Sequence, residues 1–225
     1  MSYAVQLFFG KSFTGKTARM LHELRAAPRV LLVDPKCGQL AKLKGYKHFW
    51  PRFNDETGNW EAKEGEGLIN FLRRHRSGSP FKVAIHVRGF FRPNLEIVCL
   101  LAMALKDCVL AVDEMGLFVP PGPAGALPPR ITSVAVSGTH DRVYLMGTAQ
   151  RPSLVHGTIR ANASRMLWYR LSERNDLEAA RQYLPDDLAA RVPSLPDYVC
   201  VDWTDGGEPF EDSSLVGKIH IAGSR

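Results

Sequence analysis

Lys16 and Thr17 close the run Gly10-Lys11-Ser12-Phe13-Thr14-Gly15-Lys16-Thr17, which matches G-x-x-x-x-G-K-[ST] in full. Glycines let such a segment fold into a concave loop whose N–H groups face phosphate oxygens. Lys16 then reaches the β- and γ-phosphates, and Thr17 supplies a hydroxyl to Mg²⁺. The helix after the loop turns its positive end toward the anion. The apolar run Val5-Gln6-Leu7-Phe8-Phe9 stands directly before the loop, so the strand–loop–helix order that this motif needs is present. The eight residues are read as a binding loop for a nucleoside triphosphate.

Two further groups suit the same chemistry. Cys108-Val109-Leu110-Ala111-Val112-Asp113-Glu114 is an apolar strand ending in two carboxylates. Asp113 fits the metal shell, and Glu114 fits a general base acting on water. Val143-Tyr144-Leu145-Met146-Gly147-Thr148-Ala149-Gln150 is another strand with a polar end. Gln150 there either orients the attacking water or senses the γ-phosphate. Pro152, after Arg151, fixes where that strand stops.

These groups need a scaffold that brings several strand ends together. Strand-like runs fall at Val5–Phe9, Val30–Val33, Phe81–Val87, Val109–Val112, Val143–Met146, Met166–Leu171 and Tyr198–Asp202. Helical patterns lie between them, at Lys16–Arg25, Gly67–Arg74, Asn94–Leu105, Arg130–Val136 and Leu177–Tyr183, with a short one at Asp186–Arg191. Alternating strands and helices predict an α/β fold, a mainly parallel central sheet flanked by helices on both faces. The continuously apolar runs around Val30 and Val109 suit strands buried on both sides. One domain is expected over residues 1–203. It carries an irregular insertion at about 44–60, a Pro/Gly loop at 120–129 and a polar, mobile tail at 204–225.

Composition narrows the class. The 225 residues carry a net charge of +6, which favours an acidic partner such as nucleic acid. Lys42, Lys44 and Lys47 form one basic cluster, and Arg73, Arg74, His75 and Arg76 another; each, taken alone, reads as a solvated face sooner than as a nucleic-acid contact. Cys37, Cys99, Cys108 and Cys200 lack metal-ligand spacing and are expected as free thiols. No apolar stretch is long enough to span a bilayer, and the first residues do not resemble a signal peptide, so a soluble, non-secreted protein is expected.

The ordered set of motifs carries a resemblance. It comprises the loop at Gly10–Thr17, Leu32-Val33-Asp34-Pro35-Lys36, Val112-Asp113-Glu114 and Gly147-Thr148-Ala149-Gln150-Arg151-Pro152. Ile159-Arg160-Ala161-Asn162-Ala163, Trp168-Tyr169-Arg170-Leu171 and Asn175-Asp176-Leu177 come after them. The set is similar to the FtsK/HerA superfamily of ring-forming DNA-translocating ATPases. In its small size it resembles the genome-packaging ATPases of tailless viruses with an internal membrane. The resemblance implies a three-layer P-loop NTPase of the RecA/FtsK-HerA type that hydrolyses ATP with Mg²⁺. It also implies a pentameric or hexameric ring acting on double-stranded DNA in host cytoplasm or at a virion vertex, with viral portal or membrane proteins as partners. Lys16 and Thr17 would hold phosphate and metal, Asp113 the metal shell, Glu114 would be the base and Gln150 the sensor. Arg142 and Arg160 are the candidates for an arginine supplied to a neighbouring subunit.

DNA grips in such a ring would come from Lys42–Lys47 or from Arg88–Arg92, where Phe90 and Phe91 either stack on bases or pack at an interface. The loop at 120–129 is a further pore or interface element. The chain lacks the β-barrel of HerA, the membrane region of FtsK and a winged-helix DNA reader. Alternatives are a nucleoside or nucleotide kinase, a Zot-like phage assembly ATPase, and a non-catalytic nucleotide switch. No lid pattern favours the first, no membrane segment the second, and the intact Lys16, Asp113 and Glu114 disfavour the third.

Overall fold

Runs of β-branched and aromatic residues form the strands, and the computed structural model describes residues 4–76, 78–123 and 126–216. In chain order the elements are β1 (Val5–Phe9), α1 (Lys16–Leu24), β2 (Arg29–Asp34), β3 (Lys47–Phe49), β4 (Phe53–Asn54) and β5 (Asn59–Trp60). Then come α2 (Ala62–Arg74), β6 (Phe81–His86), α3 (Phe91–Leu105), β7 (Cys108–Val112), α4 (Pro129–Ser137) and β8 (Val143–Ala149). The last are α5 (Gly157–Ala161), β9 (Arg165–Trp168), α6 (Arg174–Arg181), α7 (Asp186–Arg191), β10 (Cys200–Thr204) and β11 (Phe210–Asp212).

Among the described residues nine strands make one sheet, in the order β11-β10-β9-β1-β8-β7-β2-β6-β3. Every neighbouring pair from β9 to β3 is parallel, and β10 runs antiparallel between β9 and β11. The expected α/β architecture is therefore the observed one. Side chains alternate across the sheet. Leu7, Phe9, Leu31, Val33, Leu110 and Val112 enter the larger core, shared with α2 to α7. Phe8, Val30, Leu32, Val109 and Ala111 enter a smaller one, closed by Met20 and Leu24 of α1 and by Leu40. Both faces are covered, but unequally: among the described residues α1 is the one helix of eight residues or more on its side.

Two expectations need correction. The stretch 44–60 is not merely irregular: β3 pairs with β6 and extends the main sheet, and β4 pairs with β5 as a small hairpin. The boundary at 203 falls inside β10, and β11 lies beyond it as the sheet's last strand. Ion pairs explain why this polar segment docks. Arg19 on α1 contacts Glu23 and Asp212, each at 2.7 Å, and Arg165 on β9 pairs with Asp202 of β10 and with Glu23. Residues 217–225 of the expected tail, and positions 124 and 125 of the Pro/Gly loop, lie outside the described residues.

Candidate active site

Three neighbouring strands, β1, β8 and β7, run toward one edge, β7 stopping two residues short of the level at which β1 and β8 end. The register places Leu7 beside Gly147, and Gly147 beside Val112. Directly beyond the three strand ends on that edge stand the binding loop, Gln150, and Asp113-Glu114. Parallel pairing thus brings together residues more than a hundred positions apart.

The loop is fixed at both ends. Gly10 N–H donates to the Ala149 carbonyl and Lys11 N–H to that of Arg170. A Cβ on Gly10 would sit 2.5 Å from the Tyr169 Cβ, so only glycine fits. Gly15 precedes α1 with φ 106°, a left-handed conformation, and a Cβ there would approach Tyr198 Cδ1 to 2.7 Å. Tyr198 N–H donates to the Thr14 carbonyl, so the lead into β10 braces the loop from outside. Lys16 Nζ and Thr14 Oγ1 both donate to the Lys11 carbonyl, at 2.7 and 2.8 Å, which places the ammonium in the bowl of the loop. No acidic residue occupies the first turn of α1, leaving its positive end open to an anion. Lys11 and Ser12 are exposed on the rim, and Phe13 stands out into solvent with 90% of its surface accessible.

Electrostatics favour a polyanion and a cation here. Burial lowers the Lys16 pKa to about 8, although Glu114 and Asp113 pull the other way. Asp113 is also buried, and burial raises its pKa; hydroxyl donors partly offset this, while Glu114 adds to it. Thr17 Oγ1 and Thr148 Oγ1 both donate to Asp113 Oδ1, at 2.8 and 2.7 Å. A buried carboxylate beside a threonine hydroxyl is a hard-oxygen donor set that fits Mg²⁺.

Glu114 takes a left-handed backbone conformation, φ 49° and ψ 51°, and its N–H donates to Thr148 Oγ1 at 3.0 Å. Its Oε1 accepts from Gln150 Nε2 at 3.3 Å and pairs with Lys36 Nζ at 2.5 Å. Lys16, Thr17, Asp113, Glu114 and Gln150 are therefore gathered on one edge.

Arg142 and Arg160 are not part of this cluster. Arg142 stands where β8 begins, on the opposite edge, and its guanidinium pairs with Asp107. Arg160 lies near the end of α5, four residues before Ser164, whose N–H bonds the Val5 carbonyl at the start of β1; its Nε donates to the Val155 carbonyl. Four residues of the site region have no role assigned from sequence: Thr148, Lys36, Arg151 and Tyr198. Arg151, beside Gln150, pairs with buried Asp176 at 2.8 Å and lines a pocket of about 410 Å³ with Lys11 and Ser12. Only the polar strand end Gly147–Gln150 and the Asp-Pro turn at 34–35 signal any of them. A larger groove of about 980 Å³ runs from the loop along α1, past Lys36, Lys42, Lys44 and Tyr46.

The Phe90-Phe91 pair does not act as a unit. Phe91 packs edge-on against Phe118, centroids 5.3 Å apart, while Phe90 is half exposed beside Phe53. Among the described residues no helix is long and apolar enough to cross a membrane.

No family model and no curated protein matches the sequence. Solved structures match it in shape. The genome packaging NTPase B204 from Sulfolobus turreted icosahedral virus 2, in complex with sulfate, aligns over 92% of this chain and 94% of its own, with TM-score 0.67 and 15% identity. Its complex with AMPPCP gives 0.65 and 16%, over 92% and 95%. The bacterial conjugative coupling protein TrwBdeltaN70 covers 92% of this chain and 84% of its own, with TM-score 0.61 and 12% identity. The chain has the three-layer, mainly parallel P-loop NTPase fold that these packaging and coupling structures share.

Proposed function

We propose that this protein is an ATP-hydrolysing motor that translocates double-stranded DNA, its task being to package a viral genome into a preformed capsid. The observation that carries the hydrolytic part is the convergence of Lys16, Thr17, Asp113, Glu114 and Gln150 on one sheet edge. The fold shared with a genome packaging NTPase and a conjugative coupling protein supports the DNA part.

In this reading the loop amides and α1 bind the phosphates, and Lys16 exchanges the Lys11 carbonyl for phosphate oxygens. Thr17 and Asp113 hold Mg²⁺, which when bound neutralises charge on the β- and γ-phosphates. Glu114 takes the proton of the attacking water, and Gln150 keeps water and carboxylate aligned. Copies close head to tail into a ring of five or six, so that an arginine of one subunit reaches the site of the next. Arg142, on the edge far from its own loop, and Arg160, outside the cluster, are the candidates to serve a neighbour. Arg160 is preferred, because Asp107 already occupies the guanidinium of Arg142. Lys42, Lys44 and Lys47 would grip DNA phosphates, making translocation independent of sequence and sensitive to salt. Portal or membrane proteins of the virion would dock the ring.

The test is ATP turnover with and without long double-stranded DNA, beside a Glu114→Gln control. Turnover that rises with DNA and vanishes in the control supports the motor. Turnover indifferent to DNA but stimulated by a nucleoside or nucleotide acceptor would point to a kinase instead.

A further inference from the structure

The Asp34-Pro35-Lys36 turn after β2 has no part in the hydrolytic mechanism, yet its lysine reaches the middle of the site. β2 lies beside β7, and Asp113 N–H donates to the Val33 carbonyl, so the turn leaves the sheet next to the two carboxylates. Asp34 is 1% exposed, and its Oδ1 accepts from the N–H groups of Lys36 and Cys37, at 2.9 and 3.1 Å. This fixes the direction in which Lys36 departs. Its Nζ then meets Glu114 Oε1 at 2.5 Å.

The anchor behind Asp34 is itself built. Asp34 Oδ2 contacts His86 Nδ1, His86 Nε2 contacts His48 Nδ1, and His48 Nε2 contacts the Leu43 carbonyl, each at 2.9 Å. The Trp50 ring lies against both imidazoles, its centroid 4.7 Å from that of His86 and 5.8 Å from that of His48. Both ends of this chain are acceptors, and each imidazole is engaged at both of its ring nitrogens. The turn bearing Lys36 is thus tied through buried polar groups to the segment that precedes and forms β3.

We propose that Lys36 is a positioning residue for the general base. With Gln150 it holds Glu114 Oε1, so that Oε2, on which no hydrogen bond from the described residues ends, is the oxygen presented to water. This rests on the reading of Glu114 as base. The backbone of Glu114 is already fixed through Thr148, leaving its side-chain direction as the freedom that Lys36 removes.

The experiment compares ATP turnover of the full chain with Lys36→Met, Lys36→Arg, Glu114→Gln and the Lys36→Met/Glu114→Gln double variant, all at saturating Mg²⁺. Lys36 is about half exposed, so Lys36→Met should fold, and its melting curve checks this. Lys36→Met is expected to lower kcat about tenfold or more with KM for ATP within about twofold. Lys36→Arg should restore most of the loss, and the double variant should be no slower than Glu114→Gln alone. An unchanged or higher kcat in Lys36→Met would overturn the proposal, the latter meaning that the ammonium restrains the base. So would a rise in KM at constant kcat, the mark of a phosphate ligand, or independent losses in the double variant. If Glu114→Gln is inactive while Lys36→Met turns over normally, this inference alone fails. If the unsubstituted protein does not hydrolyse ATP, the hydrolase reading fails first.

Discussion

The two edges of the sheet handle buried charge in opposite ways. At the edge where strands begin, Arg29 is 4% exposed and donates to the carbonyls of His75, Ser79, Leu105 and Lys106. Its guanidinium also lies 4.9 Å from the centre of the Phe81 ring. At the edge where strands end, Lys16 has a single carbonyl, Asp113 has two hydroxyls, and Glu114 is held by side chains alone. A charge held by several backbone carbonyls is fixed by the fold itself. A charge held by a few replaceable partners can exchange them for a ligand, and at Lys16 and Asp113 the burial-shifted pKa records the shortfall.

Substitutions on the two edges separate these roles. Glu114→Gln should reduce ATP turnover by about 10²–10⁴ while ATP still binds, as read by steady-state kinetics beside equilibrium titration. Loss of binding together with turnover would mean that Glu114 shapes the loop rather than serving as base. Arg29→Ala should do the converse. It removes a buried cation together with the donors to four carbonyls, one of them fully buried, and is expected to cost about 3 kcal/mol, a fall in Tm of roughly 10 °C for a domain of this size, with turnover per folded molecule retained. A catalytic defect without a stability defect would erase the contrast.

A subtler difference lies in pH. In the free site Lys16 gives up its proton near pH 8, whereas bound phosphates favour its charged form. ATP binding without magnesium at about pH 9 should therefore take up a proton, fading to none by about pH 7. Calorimetry in buffers of different ionisation enthalpy measures it, and equal heats in all buffers would contradict the shift. The smallest effect is expected at Arg142, whose pairing with Asp107 is solvent-exposed on both sides. Arg142→Ala should change stability by no more than about 1 kcal/mol and leave turnover of the assembled protein nearly intact, while Arg160→Ala should lower it. The reverse pattern would make Arg142 the arginine given to the neighbour.

Much of this arrangement is legible in the sequence, because its signals are local. The loop announces itself by glycine spacing, and β2 and β7 by unbroken apolar runs that only two-sided burial explains. What escapes is short or long-range. Gly157–Ala161 forms α5 with too few residues to display a period, and Lys47-His48-Phe49 becomes β3 only because β6 offers an edge. The meeting of Lys36 with Glu114 spans 78 positions and depends on β2 and β7 being neighbours, which no spacing reveals. His48 and His86 look like unrelated single histidines until the β3–β6 pairing sets Ala84 beside His48 and brings their rings together.

The unequal covering of the sheet has a mechanical side. α1 is moored at three places: its first turn cups the phosphate loop, Lys82 at the start of β6 bonds its last carbonyls, and Arg19 fastens its flank to Asp212 on β11. It acts as a strut across the face it occupies. A load applied at the phosphate end is delivered to β6 on one side of the sheet and to the outermost strand on the other.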